Sequence, residues 1–160
     1  MWQILRAHRE MGHRIVIASS ATRFQIEPIA REIEADHALA TDVEVIDGVV
    51  TGNILGRPLW GPGKAAAVRT LAREHEIDLD ASFAYSDGNE DIPYLEAVGH
   101  PAAISPQRTL RAEAERRGWP IIELRNPTYN RAGMLVRTGA MYASFMTSAA
   151  LGAAGGLLRR

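Results

Sequence analysis

The sequence predicts an α/β fold, a doubly wound, Rossmann-like parallel sheet with a β-hairpin insertion. Strand-like and helix-like runs alternate along the chain, the order that builds parallel ladders with helices on their faces. Residues able to do chemistry stand where strand-like runs give way to helices, at Ser19-Ser20 and at Ser86-Asp87, and that edge of an open α/β sheet is where ligands bind. One hairpin signal, Asp47-Gly48, interrupts the alternation.

In order, the first thirteen residues read as an amphipathic helix with a glycine stop at Gly12. Residues 15–18 form a buried-type apolar strand ending in hydroxyls, and 24–33 a helix. Residues 43–46 and 49–51 are the arms of the hairpin, joined by the turn pair that type I′ geometry prefers. An alanine-rich helix covers 64–75, a short strand 83–85 and a helix 92–98. A strand at 102–104, a helix at 107–117 and a strand at 120–124 complete the core, residues 1–125, with no internal repeat. Residues 126–137 read as a linker. Residues 138–158 then run 21 positions without a charge between Arg137 and Arg159-Arg160, enough to cross a bilayer core of ~30 Å at ~1.5 Å per residue. This Ala/Gly-rich stretch, with Gly152-x-x-x-Gly156, is a candidate membrane helix; a helix packed on its own domain is the alternative.

A chain of 160 residues fits one domain, and 46% hydrophobic with 23% charged residues is a globular composition. A net charge of −1 gives no general attraction to nucleic acid. The absence of cysteine excludes a disulfide framework and thiol chemistry and suits a cytoplasmic protein. Charges interrupt the opening residues, so no signal peptide is expected. The N-terminal histidines, His75 and His100 are expected on the surface or in loops, and Trp60 and Trp119 packed near loops, with a substrate-facing position as the alternative.

Three stretches carry chemistry. Ser86-Asp87-Gly88-Asn89-Glu90-Asp91 is a glycine-kinked acidic turn whose two aspartates, four residues apart, are able to converge on a hard divalent cation; the same letters also suit a plain turn with Asp91 as a helix cap. Lys64, in Gly61-Pro62-Gly63-Lys64, is the only lysine among 18 basic residues. Its compact ammonium suits point neutralisation of a phosphate or carboxylate, where a planar guanidinium would favour bidentate pairing. The string is not a Walker loop, because Pro58 and Ala65 stand where that motif needs Gly and Ser or Thr. Ser19-Ser20, before a helix, suits an anion held by a hydroxyl and helix N–H groups, or else a helix cap.

In this order, Ser19, Lys64, Asp87 and Asp91 resemble the later motifs of the haloacid dehalogenase superfamily, in its phosphoserine-phosphatase-like branch. The stretches that carry the resemblance run from Gly12-His13-Arg14 to Ser19-Ser20-Ala21 and through Val45 to Asn53 around the hairpin. Gly63-Lys64, Tyr85 to Pro93 and Leu95 to Gly99 follow. The resemblance implies that Ser19, with Ser20 as its neighbouring alternative, hydrogen-bonds a transferred phosphoryl group. It implies that Lys64 neutralises that group beside the nucleophile, and that Asp87 and Asp91 complete a Mg²⁺ site, Asp87 directly and Asp91 directly or through an intermediary. A small phosphorylated metabolite is then the expected partner and nucleic acid is not. Such domains also occur fused ahead of a membrane-bound glycerolipid acyltransferase, so an acyltransferase domain and membrane contact through 138–158 are further expectations.

The family's first motif, D-x-D-x-[TV], supplies its nucleophile and its acid/base upstream of the serine motif, yet the eighteen residues before Ser19 contain no Asp. The resemblance therefore implies a core incomplete at its N-terminus, without the middle strand between 15–18 and 83–85, and with Val16, Ile17 and Phe83 exposed unless the two neighbouring strands close up on each other. Asp78-Leu79-Asp80 has similar letters but sits at the opposite end of the following strand from Asp87. His37 and Asp42 match an H-x-x-x-x-D acyltransferase spacing by chance, in an expected connector. The expected function is Mg²⁺-dependent phosphomonoester hydrolysis through an aspartyl-phosphate, with this chain inactive alone. A non-catalytic anion-binding or membrane-tethering domain linked to lipid biosynthesis is the alternative.

Overall fold

The amphipathic start of the chain folds as α1 (Trp2–Glu10), with Ile4 and His8 on its buried side one turn apart. Gly12 takes φ 74°, a left-handed conformation that ends the helix. The computed structural model describes residues 2–124; the predicted linker and charge-free stretch at 126–137 and 138–158 lie outside them. After α1 come β1 (Val16–Thr22), α2 (Arg23–Glu32), β2 (His37–Ile46), β3 (Val49–Leu55), α3 (Pro62–Glu74) and β4 (Phe83–Ser86). A 3₁₀ turn at Asn89–Asp91 leads into α4 (Ile92–Leu95), followed by β5 (His100–Ile104), α5 (Arg108–Arg117) and β6 (Ile121–Ile122).

The α/β architecture and the parallel pairing are as expected: β1 runs parallel to β2, and β4, β5 and β6 are mutually parallel. The strands form two three-stranded ladders, β1-β2-β3 and β4-β5-β6. No pairing joins β1 to β4 among the described residues. Val16, Ile17 and Phe83, expected to be exposed unless these strands close up on each other, are half-buried. The His8 and His13 rings pack on Phe83 with centroids 4.9 and 5.6 Å away, and His100 stacks on it at 4.6 Å. A cavity of about 810 Å³ lies between α1, β1, α3 and β4, lined by Ile4, Leu5, Val16, Val68, Leu71 and Phe83 among others.

β2 corrects one expectation. Residues 37–41, read as a connector, are strand: His37, Ala38 and Leu39 pair with Val16, Ile17 and Ala18. The same strand then continues as the first arm of the hairpin, antiparallel to β3. His37 and Asp42 are five positions apart on it, so they point to opposite faces. His37 stacks near His75 (4.2 Å) while Asp42 takes a two-pronged ion pair from Arg23 at 2.6 and 3.0 Å. The fold does not bring the two residues of the acyltransferase-like spacing together.

The core of the second ladder is built of small and branched residues, with Ala84 and Ala103 on the strands facing Leu95, Leu110 and Ala114 on the helices. Alanine on the strands lets α5 lie close, and Gly118 at φ 71° closes that helix with a left-handed residue. Trp119 packs against this core, with Arg117 5.0 Å from its ring, whereas Trp60 is 60% exposed, contrary to expectation.

Candidate active site

Lys64 reaches the site because of how its helix begins. Pro62 opens α3, where its missing N–H costs nothing. A Cβ on Gly63 would run into the Pro58 carbonyl oxygen, so only glycine lets this turn close. Lys64 is thereby drawn inward, to 7% exposure. Its Nζ donates to Asp91 Oδ2 at 2.7 Å and lies 2.7 Å from Oδ1 as well. The Tyr94 ring is 5.7 Å from the ammonium. Burial, and then the Asp91 charge, push the Tyr94 phenol up to about 12, so it is a neutral wall.

Asp91 arrives from the other ladder, on the 3₁₀ turn after β4. It occupies the N-cap position of α4, but its carboxylate makes no cap hydrogen bond. Oδ2 accepts a second hydrogen bond, from the Ser86 hydroxyl at 2.6 Å, and Ser86 Oγ in turn accepts the Gly88 N–H at 3.2 Å. Oδ1 is buried and, although within ion-pair distance of the ammonium, receives no aligned donor among the described residues. A buried carboxylate oxygen in that condition has spare capacity for a cation or a water.

Ser19 and Ser20 lie in a bulge of β1. The ladder pairs Ala18 with Leu39 and next Thr22 with Thr41, so three residues of β1 oppose Ala40 alone, and such bulges redirect side chains. Ser19 Oγ accepts the Ala21 N–H at 3.2 Å, while Ser20 is exposed. Neither caps α2. Thr22 holds that position, with Gln25 reaching back to its N–H at 3.0 Å. Asp87 is exposed at the carboxyl end of β4, its carbonyl accepting the Gln107 N–H at 2.9 Å. Asn89 Oδ1 accepts the Leu110 N–H at 2.9 Å and pins the same loop to the start of α5.

The fold thus brings Lys64 and Asp91 together from positions 27 residues apart. Ser19, Ser20 and Asp87 lie at the carboxyl ends of β1 and β4, with no hydrogen bond to that pair among the described residues. No group of three or more His, Asp or Glu placed to hold a metal occurs among those residues. Mg²⁺ commonly takes one or two carboxylates and fills its shell with water and phosphate oxygen, so Asp87 with the open Oδ1 of Asp91 fits it as a partial set.

Two further polar residues were missed. Ser86 was read only as part of a turn, though it orients Asp91. His8 was expected at the surface, yet it is 6% exposed. Its ring nitrogens lie 2.9 Å from His13 Nδ1 and 2.7 Å from the Tyr85 hydroxyl. Desolvation, and then His13, lower it from 6.5 to about 4. The available signal was its place one turn after Ile4. Asp78 binds the N–H groups of Asp80 and Ala81 at 2.9 and 3.2 Å as a turn, in keeping with its rejection as a nucleophile.

The sequence profile of haloacid dehalogenase-like hydrolases matches residues 1–96. The chain belongs to that family. A Mycobacterium tuberculosis protein named as a probable phosphatase is 39% identical over 149 residues, 93% of this chain and 50% of its own. A phosphoserine phosphatase of the same organism is 35% identical over 156 residues, covering 98% and 47%. The chain therefore spans about half the length of these relatives. An apo phosphoserine phosphatase crystal structure superposes with a TM-score of 0.67 at 23% identity, over 78% of this chain and 60% of that one, a likeness of fold. Within this haloacid dehalogenase-like fold, Asp87 follows the carboxyl end of β4 and Asp91 lies on the turn beyond it, beside Lys64; open α/β sheets in general bind ligands at that edge.

Proposed function

We propose that this chain supplies the phosphoryl- and metal-binding half of a Mg²⁺-dependent phosphomonoester hydrolase acting on a small phosphorylated metabolite such as phosphoserine. The buried Lys64–Asp91 pair carries the reading: an ammonium 7% exposed, beside a carboxylate with an unfilled oxygen, is a costly arrangement unless a charged ligand uses it. Lys64 neutralises a phosphoryl oxygen, and a Ser19 or Ser20 hydroxyl donates to another. Asp91 holds the lysine in place through Oδ2. Asp87, with Asp91, would hold Mg²⁺, which when bound offsets the charge on the phosphoryl oxygens.

Attack on phosphorus requires a carboxylate that these residues do not provide. Among the described residues Asp91 is the sole ion-pair partner of Lys64, and it is committed to that lysine. In this reading the nucleophile comes from sequence outside these 160 residues, forms an aspartyl-phosphate as the ester oxygen leaves, and is freed by water. The charge-free 138–158 stretch is assigned to membrane contact, beside an acyltransferase domain where one is fused; no helix among the described residues is long and apolar enough to cross a membrane.

The test is binding without turnover. Inorganic phosphate should bind the isolated chain, and a Lys64→Met/Asp91→Leu variant should lose it. Para-nitrophenyl phosphate should not be hydrolysed above background. Mg²⁺-dependent hydrolysis that Asp87→Ala abolishes would place a nucleophile inside this chain and refute that part of the assignment.

A further inference from the structure

Thr41 is a buried polar residue for which neither the motifs nor the site gives a role. It is 5% exposed on β2. Its hydroxyl donates to the Ser20 carbonyl at 2.9 Å and accepts the Leu59 N–H at 3.2 Å. Both partners belong to irregular backbone. Ser20 lies in the β1 bulge that the ladder bypasses between Ala18 and Thr22. Leu59 opens the turn in which Trp60 N–H bonds Pro58 O at 2.9 Å and Gly63 N–H bonds Trp60 O at 3.0 Å, immediately before Lys64. One hydroxyl therefore spans the two segments that carry Ser19-Ser20 and Lys64.

We propose that Thr41 is a positioning residue that sets the spacing between the serine bulge and the lysine turn, and so the shape of the phosphoryl pocket. The proposal rests on the reading that those two segments bind a phosphoryl group. The ladder holds β1 only on either side of the bulge, at Ala18 and Thr22, and no strand pairing reaches Leu59; a part-buried carbonyl and a buried N–H without partners are unfavourable. The hydroxyl satisfies both with a single atom. Serine keeps that atom; valine has the same shape without it. A merely structural threonine would tolerate valine with some loss of stability and unchanged ligand affinity.

The experiment titrates inorganic phosphate, without Mg²⁺, into the full chain and its Thr41→Val, Thr41→Ser and Lys64→Met/Asp91→Leu variants, with thermal melts and amide exchange alongside. Expected are a roughly tenfold weaker affinity for Thr41→Val, the worth of about one hydrogen bond, near-complete recovery in Thr41→Ser, and a slowly exchanging Leu59 amide in the wild type. Wild-type affinity in Thr41→Val would overturn the positioning role while leaving the phosphoryl-site reading standing. Undiminished binding in Lys64→Met/Asp91→Leu, or none in the wild type, would overturn both. Should Thr41→Val fail to fold, Thr41→Ser and the Leu59 amide decide: fast exchange of that amide in the wild type, or a Thr41→Ser affinity as low as that of the lysine variant, overturns the proposal.

Discussion

Replacing Lys64 by methionine keeps its apolar stem and removes the charge, which makes it the sharpest perturbation of the site. Both side chains of the pair are 8% exposed, so the ion pair is a buried one, not a screened surface contact. Removing one member leaves Asp91 with the Ser86 hydroxyl as its remaining partner at Oδ2 and nothing at Oδ1. Breaking a buried pair from one side costs about 3–5 kcal/mol, equivalent to a melting-point loss on the order of 10–20 °C for a domain of this size. Removing both charges, as Lys64→Met/Asp91→Leu, strands only the Ser86 hydroxyl, at about 1–2 kcal/mol. The double variant should therefore be more stable than either single one. Urea unfolding of the four proteins in a double-mutant cycle measures this directly. Additive losses, or a Lys64→Met cost under about 1 kcal/mol, would mean that the pair opens to solvent and that no stored charge awaits a ligand.

Falling pH should destabilise the chain through His8. Its folded value of about 4 lies below the unfolded 6.5, so the unfolded state binds the extra proton and stability drops as pH falls from 6.5 to about 4, by up to ~3 kcal/mol; His8→Asn should flatten that part of the stability profile, and an identical slope in both proteins would refute it. Mg²⁺ should bind weakly and lose its site in Asp87→Asn/Asp91→Asn, as titration calorimetry would show; equal heats from both proteins would make the acidic turn purely structural. The hairpin shows Val49 67% and Val50 51% exposed on β3, an apolar edge of the kind that aggregates. Val49→Lys should raise the concentration at which light scattering begins while moving stability by less than about 0.5 kcal/mol.

Local signals in the sequence served the elements better than the contacts. The strand-to-helix order, the Asp47-Gly48 hairpin and the Gly12 helix stop are short-range patterns, and all appear in the structure. His37 to Thr41 was missed because His-Ala-Leu-Ala-Thr has few β-branched residues and no alternation; it is a strand through its ladder with β1. Lys64 stood out as the only lysine, and Asp91 as half of an acidic turn. Their contact spans 27 positions and follows from no spacing rule. The Ser19–Ala21 bulge and the Thr41 bridge were equally silent, because a bulge depends on what the neighbouring strand does.

The same geometry makes ligand binding and folding inseparable here. Lys64 sits on α3, which packs against β1 of one ladder and against α4 and the Asn89–Asp91 turn of the other. Its salt bridge to Asp91 therefore ties the two ladders at the point where a phosphoryl group is expected to bind. A ligand that engages only the folded arrangement stabilises it by mass action, by about 2.7 kcal/mol at a hundredfold excess over its dissociation constant. Phosphate should consequently raise the melting point of the whole described core, including α5 and β6, although neither element carries a predicted site residue. Protection confined to the β1-β2-β3 ladder in hydrogen exchange would show instead that the ladders fold independently and that the Lys64–Asp91 contact forms only after both are in place.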